Sequence, residues 1–200
     1  RRDDELNLYD PKNPNQPTYA AEFLERYIAA QVARNRRITA WVQERLAHLR
    51  QHKGPAAEQG FVVHGTMADP RWLDPTIDPN DRKPNWSFMG DPRMVNDAPA
   101  GLARFCTLRS WLSQWSYDLS GANGPACAKR ISVPALVVGN TADDGCTPSH
   151  TNRIYEAIAS SDKTKQLIQG ATHYYFGQPD KLAAAVATVD GWLKERDFWD

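Results

Sequence analysis

The chain has 200 residues and no net charge, with 24 basic and 24 acidic side chains. This balance gives no electrostatic reason to expect binding to nucleic acid or to an anionic membrane, and no apolar run is long enough to cross a bilayer. The three cysteines lack a metal-site spacing, so we expect neither a metal nor a cofactor. They favour a reducing, cytoplasmic location, although export with one disulfide and one free thiol would also fit.

The first part of the chain is predicted to be mostly helical. Residues 1–16 are rich in Asp, Asn and Pro, which predicts a loop. No Pro or Gly occurs between residues 19 and 50, and apolar side chains recur there at near-helical spacing. This segment therefore predicts one long helix, or two with a bend near Asn35. Its apolar positions are Phe23, Tyr27, Ile28, Ile38, Trp41, Val42, Leu46 and Leu49.

A short strand and a long irregular stretch are predicted next. Residues 61–66 predict a strand that ends in a His64-Gly65 turn, which we interpret as a lid or wall element. Asp-Pro pairs then punctuate residues 67–98, and turn formation explains these aspartates better than a metal site does. Because aromatic side chains such as Trp72, Trp86 and Phe88 occur here, we expect an ordered lid rather than disorder.

Residues 100–119 have the clearest amphipathic pattern in the chain. Their apolar side chains are spaced by three or four residues, which predicts a helix that Gly121 ends. An aromatic stripe at this spacing is more often part of a core than of a ligand site. The stripe comprises Leu102, Phe105, Leu108, Leu112, Trp115 and Leu119.

Strands and helices alternate in the remainder of the chain. Residues 132–139 (SVPALVVG) predict a strand buried on both faces. Thr147 is the predicted N-cap of the next helix and Pro148 its first residue. A second strand is predicted over residues 165–169, and a last helix follows the turn at residues 177–180. The buried face of that helix is predicted to comprise Leu182, Ala185, Val186, Val189, Trp192 and Leu193.

An acid and a histidine follow these two strands. Asp143 and Asp144 come just after the first strand, and His173 comes just after the second. In open α/β sheets, catalytic and binding side chains gather at the carboxyl ends of the strands. A histidine paired with a carboxylate can act as a general base at neutral pH. The order of elements therefore predicts an acid–base pair.

Two motifs in this region resemble the C-terminal part of an α/β-hydrolase. They are P-x-L-V-V-G-N-x-A-D at residues 134–143 and G-A-T-H-Y-Y at residues 170–175, and the resemblance covers residues 131 to about 198. It implies an α/β fold in which residues 129–200 complete the far edge of a doubly wound sheet. Residues 1–128 would form a mostly helical cap and lid. Asp143 and His173 would be the catalytic acid and base.

The nucleophile expected in that family is missing from this sequence. No G-x-S-x-G occurs, and no variant with Cys or Asp at its centre. We therefore expect an N-terminal hydrolase segment to carry the nucleophile, either as a separate chain or as a cleaved half, which would form a heterodimer with this chain. The expected activity is hydrolysis of a small-molecule ester, or of an amide or thioester, through an acyl-enzyme. An Asp nucleophile, as in epoxide hydrolases and dehalogenases, and a non-catalytic binding protein are the alternatives.

Residues beside the predicted acid have competing interpretations. Asp143 is favoured over Asp144, because the first Asp of the A-D-x-x-C-x-P turn is the acid in the family that the chain resembles. Asp144 would instead accept backbone N–H groups in the turn. Cys146 lacks the strand-to-helix elbow expected of a nucleophile, so we interpret it as a small buried side chain.

Overall fold

The computed structural model describes residues 6–10, 12–13 and 18–198. The chain divides into two compact units. The first unit runs to Pro70 and resumes over Asp91–Asn123, and the second comprises Arg71–Gly90 and the chain from Gly124 onward. Residues 71–90, which the sequence analysis grouped with the cap, therefore pack with the C-terminal unit. Most of the loop predicted over residues 1–16 lies outside the described residues.

The first unit is built on one long helix, α1 (Ala21–Lys53). A single helix forms here instead of two, and Asn35 serves as an anchor. The Asn35 side chain donates to the carbonyl oxygen of Trp115 and accepts from the backbone N–H of Tyr117. Although α1 has 33 residues, none of the described helices is both long and apolar enough to cross a membrane.

A small antiparallel pair packs with α1. Strand β1 (Gly60–Val62), shorter than the predicted 61–66, pairs with β2 (Phe105–Thr107). Between them lies a short helix, α2 (Pro92–Asp97), which the side chain of Asp91 caps by accepting from the N–H groups of Arg93 and Met94. The core of this unit comprises Val42, Leu46, Leu49, Val63, Cys106, Leu108 and Trp111.

The prediction of one helix over residues 100–119 is wrong. Strand β2 occupies part of it, and only a helical turn over Leu108–Ser110 and a π-helical turn over Trp111–Trp115 follow. Pairing with β1 uses the backbone groups of residues 105–107 that a helix would need. The apolar residues spaced by three or four therefore belong to a strand and the helical turn after it. They do not share one buried face, because Leu108 is buried whereas Phe105 is 71% exposed.

The second unit has the predicted order of strand, helix, strand and helix. After a helical turn, α3 (Gly124–Ala128), strand β3 (Ala135–Asn140) leads to α4 (Pro148–Ala157). Strand β4 (Lys163–Ile168) pairs in parallel with β3, and α5 (Pro179–Lys194) follows. Thr147 and Pro148 are the N-cap and first residue of α4, as predicted. A doubly wound sheet stays a prediction, because two strands are too few to define one.

The predicted burial of this unit is wrong for the described residues. Strand β3 is mostly half-buried. On α5, Leu182, Val186 and Val189 are 49%, 60% and 41% exposed, and only Ala185 is buried there, against Ile168 and Ala171. The physical reason is that β3 has β4 on one side and no described strand on the other.

Residues 71–90 form an ordered segment of the second unit, which we call the strap. Its shape depends on Arg82, whose guanidinium is buried and donates to several acceptors within the strap. These acceptors are the carbonyl oxygens of Arg71, Asp74, Ile77 and Asp78 and the side-chain oxygen of Asn80. The strap is part of the segment, residues 67–98, that the sequence analysis expects to be an ordered lid, and this role stays a prediction.

The strap also caps helix α4. The Thr147 side chain makes no capping hydrogen bond, and Pro148 has no N–H to cap. The carboxylate of Asp78 instead accepts from the backbone N–H of Ser149 at 3.1 Å and from its hydroxyl at 2.6 Å. Asp78 adopts a left-handed backbone conformation with φ of 54°, which costs energy for a residue with a side chain. These bonds offset that cost.

Replacing Asp78 with Ala should destabilise the chain by about 1 kcal/mol, the usual cost of a lost helix cap. Desolvation raises the pKa of Asp78, but hydrogen bonds from Ser149 and Thr147 outweigh it and lower the pKa overall. A carboxyl group whose pKa is lowered by folding stabilises the folded state at pH values above its unfolded-state pKa. This stabilisation is lost as the pH falls through the folded-state pKa. Chemical denaturation at several pH values should therefore show that the difference in unfolding free energy between the unmodified chain and the variant becomes smaller towards acid pH.

Asp180→Ala is the matched control for this experiment. Asp180 also lies in the first turn of a helix of the same unit, but that helix has no side-chain cap. Its replacement should cost only a few tenths of a kcal/mol, through the helix dipole. Equal losses for the two variants would show that Asp78 does not cap α4.

Candidate functional site

The structure brings Asp143 and His173 into direct contact. Oδ1 of Asp143 lies 3.0 Å from Nδ1 of His173. The loop after β3 and the loop after β4 are joined by hydrogen bonds from Ala142 N to Ala171 O and from Gly170 N to Thr141 Oγ1. Parallel pairing of the strands thus places both side chains at the same edge of the sheet.

The carboxylate of Asp143 is held by its own turn. Besides His173, Oδ1 accepts from the backbone N–H groups of Gly145 at 2.8 Å and Cys146 at 2.6 Å. The residue is buried. Three donors on one oxygen fix the side-chain rotamer, so this oxygen is held towards the imidazole.

The two ring nitrogens of His173 have different surroundings. A carboxylate oxygen accepts hydrogen bonds, so Nδ1 is the protonated nitrogen and Nε2 carries the free lone pair. Within the described part of the chain Nε2 has no hydrogen-bond partner, and the side chain is 28% exposed. This is the tautomer that a general base needs.

Asp144 has a different partner. Its Oδ1 accepts from the backbone N–H of His173 at 3.3 Å, so it contacts the histidine loop but not the imidazole. Desolvation by burial raises the pKa of Asp144, and the charge of Asp143 adds to this effect while the His173 N–H opposes it. Asp143 is therefore the residue whose carboxylate orients the imidazole.

The strap contributes residues that the sequence analysis did not assign to the site. Trp72 Nε1 donates to the carbonyl oxygen of Asp144 at 2.8 Å, and Asn80 Nδ2 donates to that of Asp143 at 2.9 Å. The ring of Phe88 lies 5.3 Å from the imidazole, centroid to centroid, and 6.0 Å from that of Tyr174. The only sequence signal for these contacts was the aromatic content of the strap.

Gly145 allows the acid loop to approach the histidine closely. A Cβ at this position would lie 3.0 Å from Nδ1 of His173 and 3.1 Å from the ring of Phe88. Such contacts are tighter than ordinary van der Waals separations, so any other residue would push the two rings away.

The predicted burial of Cys146 is wrong, because this residue is exposed. Desolvation of its sulfur, followed by the negative charge of Asp143, nevertheless raises the pKa of the Cys146 thiol. At neutral pH the sulfur is therefore protonated, and a thiol is a much weaker nucleophile than a thiolate. The structure gives no support to Cys146 as the nucleophile.

The His64-Gly65 turn belongs to the first unit and has a structural role there. The carbonyl oxygens of His64 and Gly65 both accept hydrogen bonds from the guanidinium of Arg34. The turn thereby anchors the chain after β1 to helix α1.

Comparison of the chain with family models, with curated proteins and with solved structures finds no match.

Gly145→Ala should lengthen the hydrogen bond between Asp143 and His173 and destabilise the chain by about 1 kcal/mol. The reason is the close contact of the added Cβ with the two rings. Chemical denaturation measures the loss, and the NMR signal of the Nδ1 proton reports on the hydrogen bond.

Gly191→Ala is the control, because nothing lies within 4 Å of a Cβ there and the position is inside α5. It should stabilise the chain by about 0.5–1 kcal/mol. An unchanged Nδ1 signal in Gly145→Ala would contradict this prediction.

Proposed function

We propose that this chain supplies the acid and the base of a serine-type hydrolase that acts on carboxylic esters. The observation that carries the proposal is the pair of Asp143 and His173, in which a buried carboxylate holds Nδ1 of a partly exposed imidazole and Nε2 has no hydrogen-bond partner among the described residues. The resemblance of the two motifs to the C-terminal part of α/β-hydrolases supports it. Under this proposal, His173 is the general base and Asp143 orients it.

The chemistry follows from the free lone pair on Nε2. As a serine hydroxyl attacks the ester carbonyl, Nε2 takes the hydroxyl proton, and a tetrahedral oxyanion forms. When this intermediate collapses, the imidazolium returns the proton to the departing alkoxide, which leaves an acyl-enzyme and an alcohol. Water then attacks the acyl group with the same base, and the acid is released. Asp143 stabilises the imidazolium in both halves of the reaction.

The aromatic side chains beside His173 suggest the kind of ester. Phe88 from the strap and Tyr174 from the histidine loop lie next to the imidazole, and Tyr174 is 64% exposed. A substrate bound against these rings would present an apolar or aromatic acyl or alcohol group.

The nucleophile requires a partner segment, and we propose that this segment docks on the open edge of β3. Ala135 N and Thr141 N donate to carbonyl oxygens of the β4 side. Because successive residues of a strand point in opposite directions, Leu136 and Val138 direct their N–H and C=O groups away from β4. Strands with such an edge bind another strand readily.

An apolar cavity continues from this edge onto helix α5. Its volume is about 620 Å³, and it is lined mainly by Val138, Tyr175, Ala185, Val186 and Val189. The segment that fills it must therefore bring an apolar face. Its strand should run parallel to β3, because only then does its carboxyl end lie at the same edge of the sheet as His173.

Asp143→Asn in the complete enzyme should reduce the rate of acylation by roughly four orders of magnitude, the loss that the same change causes in a serine protease triad. Asp144→Asn should have a far smaller effect, because the amide oxygen of Asn can still accept from the His173 N–H. The measurement is single-turnover acylation by a p-nitrophenyl ester, with this chain and the nucleophile segment present together.

His173→Ala should remove most turnover and leave substrate binding nearly unchanged, because the base acts on the transition state. His150→Ala is the control, since His150 contacts Arg71 in the same unit and lies outside the proposed triad. Acylation by His173→Ala at a rate close to that of the unmodified enzyme would overturn the proposal and favour a binding protein.

The isolated chain should self-associate through the open edge of β3 and the exposed face of α5. Val186→Lys should reduce this association roughly tenfold or more, since a charge on that face would be buried without a partner. Ala184→Lys lies on the same helix but does not line the cavity, so it should have little effect. Analytical ultracentrifugation separates these outcomes, and a chain that stays monomeric at high concentration would count against the docking surface.

A further inference from the structure

We propose that Asp143, Cys146 and His173 also form a binding site for a thiophilic divalent cation such as Zn²⁺. One potential ligand atom from each of the three residues lies within 4.8 Å of those of the other two. Among the described residues this is the only such group of three histidine, cysteine or acidic side chains.

The chemistry of the three donors matches that class of cation. A carboxylate oxygen, a thiolate sulfur and an imidazole nitrogen are the ligands that Zn²⁺ takes in proteins, and three of them leave a fourth position for water. The metal–ligand bonds of about 2.0–2.3 Å place tetrahedral ligands roughly 3.5 Å apart. No pair of donors therefore needs to close by more than about 1.3 Å, and rotation of the exposed Cys146 side chain can supply this movement.

The carboxylate of Asp143 has a fixed orientation and one oxygen that is available to bind a cation. Its Oδ1 is occupied by His173 and by two backbone N–H groups, so its orientation is already fixed. Its second oxygen, Oδ2, has no hydrogen bond to any described residue, although the side chain is only 8% exposed. A nearly buried carboxylate with one unused oxygen beside a thiol and an imidazole is a strong cation ligand.

Binding of the cation and general-base catalysis exclude each other at this site. The thiol of Cys146 releases its proton to solvent as the bond from sulfur to the metal forms, and the imidazole gives a lone pair to the metal. Whichever ring nitrogen binds, the neutral imidazole has no lone pair left to accept a proton from a nucleophile. A bound Zn²⁺ would therefore switch off the proposed hydrolase reversibly.

Titration of the purified chain with Co²⁺ tests the site without any assay of activity. Cobalt should bind once per chain and give the near-ultraviolet thiolate-to-cobalt band and the intense visible bands of a tetrahedral site, and Zn²⁺ should displace it. Cys146→Ser should lose the thiolate band, and His173→Ala should weaken binding by roughly tenfold or more.

Cys127→Ser is the matched control, because Cys127 is also an exposed cysteine of the second unit. It should keep the full spectrum. No thiolate band in the unmodified chain, or an undiminished band in Cys146→Ser, would overturn the proposed site. Either result would leave the hydrolase proposal untouched, since metal binding is a property of this chain alone.

Discussion

The arrangement of the candidate site depends on one oxygen atom, Oδ1 of Asp143. It accepts from the imidazole of His173 and from two backbone N–H groups of its own turn. The backbone N–H groups of the acid loop orient the carboxylate. The carboxylate then selects the imidazole tautomer that leaves Nε2 free. Because one atom makes all these bonds, the conformation of the acid loop and the chemistry of the histidine cannot vary independently.

The strap holds this loop from outside. It is itself organised by the buried guanidinium of Arg82, and it donates hydrogen bonds to the carbonyl oxygens of Asp143 and Asp144 through Asn80 and Trp72. Through Asp78 it also caps α4, the helix that follows the acid loop. A segment with little regular secondary structure thus holds the acid turn through its side chains.

The second unit combines a well-ordered site with incompletely covered apolar surface. The edge of β3 has no described neighbour, and much of the apolar face of α5 is exposed. Strand β3 precedes the acid loop and α5 follows the histidine loop, so a parallel strand added at β3 would lie close to both loops. Under the proposed function, this edge is where the segment with the nucleophile docks.

The sequence alone predicted the order of the strands and helices of the second unit, because local patterns of apolar residues, caps and turns define them. That order, together with the resemblance to α/β-hydrolases, predicted that Asp143 and His173 lie at the same edge of the sheet. The sequence did not determine that residues 105–107 form a strand, since their hydrogen bonds are made with residues 60–62, which lie 43 to 47 positions earlier in the chain. It also gave no sign that Asn80, Trp72 and Phe88 support the site, or that Cys146 is exposed beside the pair. These features depend on contacts between segments distant in the chain, which no local pattern encodes, so only the tertiary structure decided them.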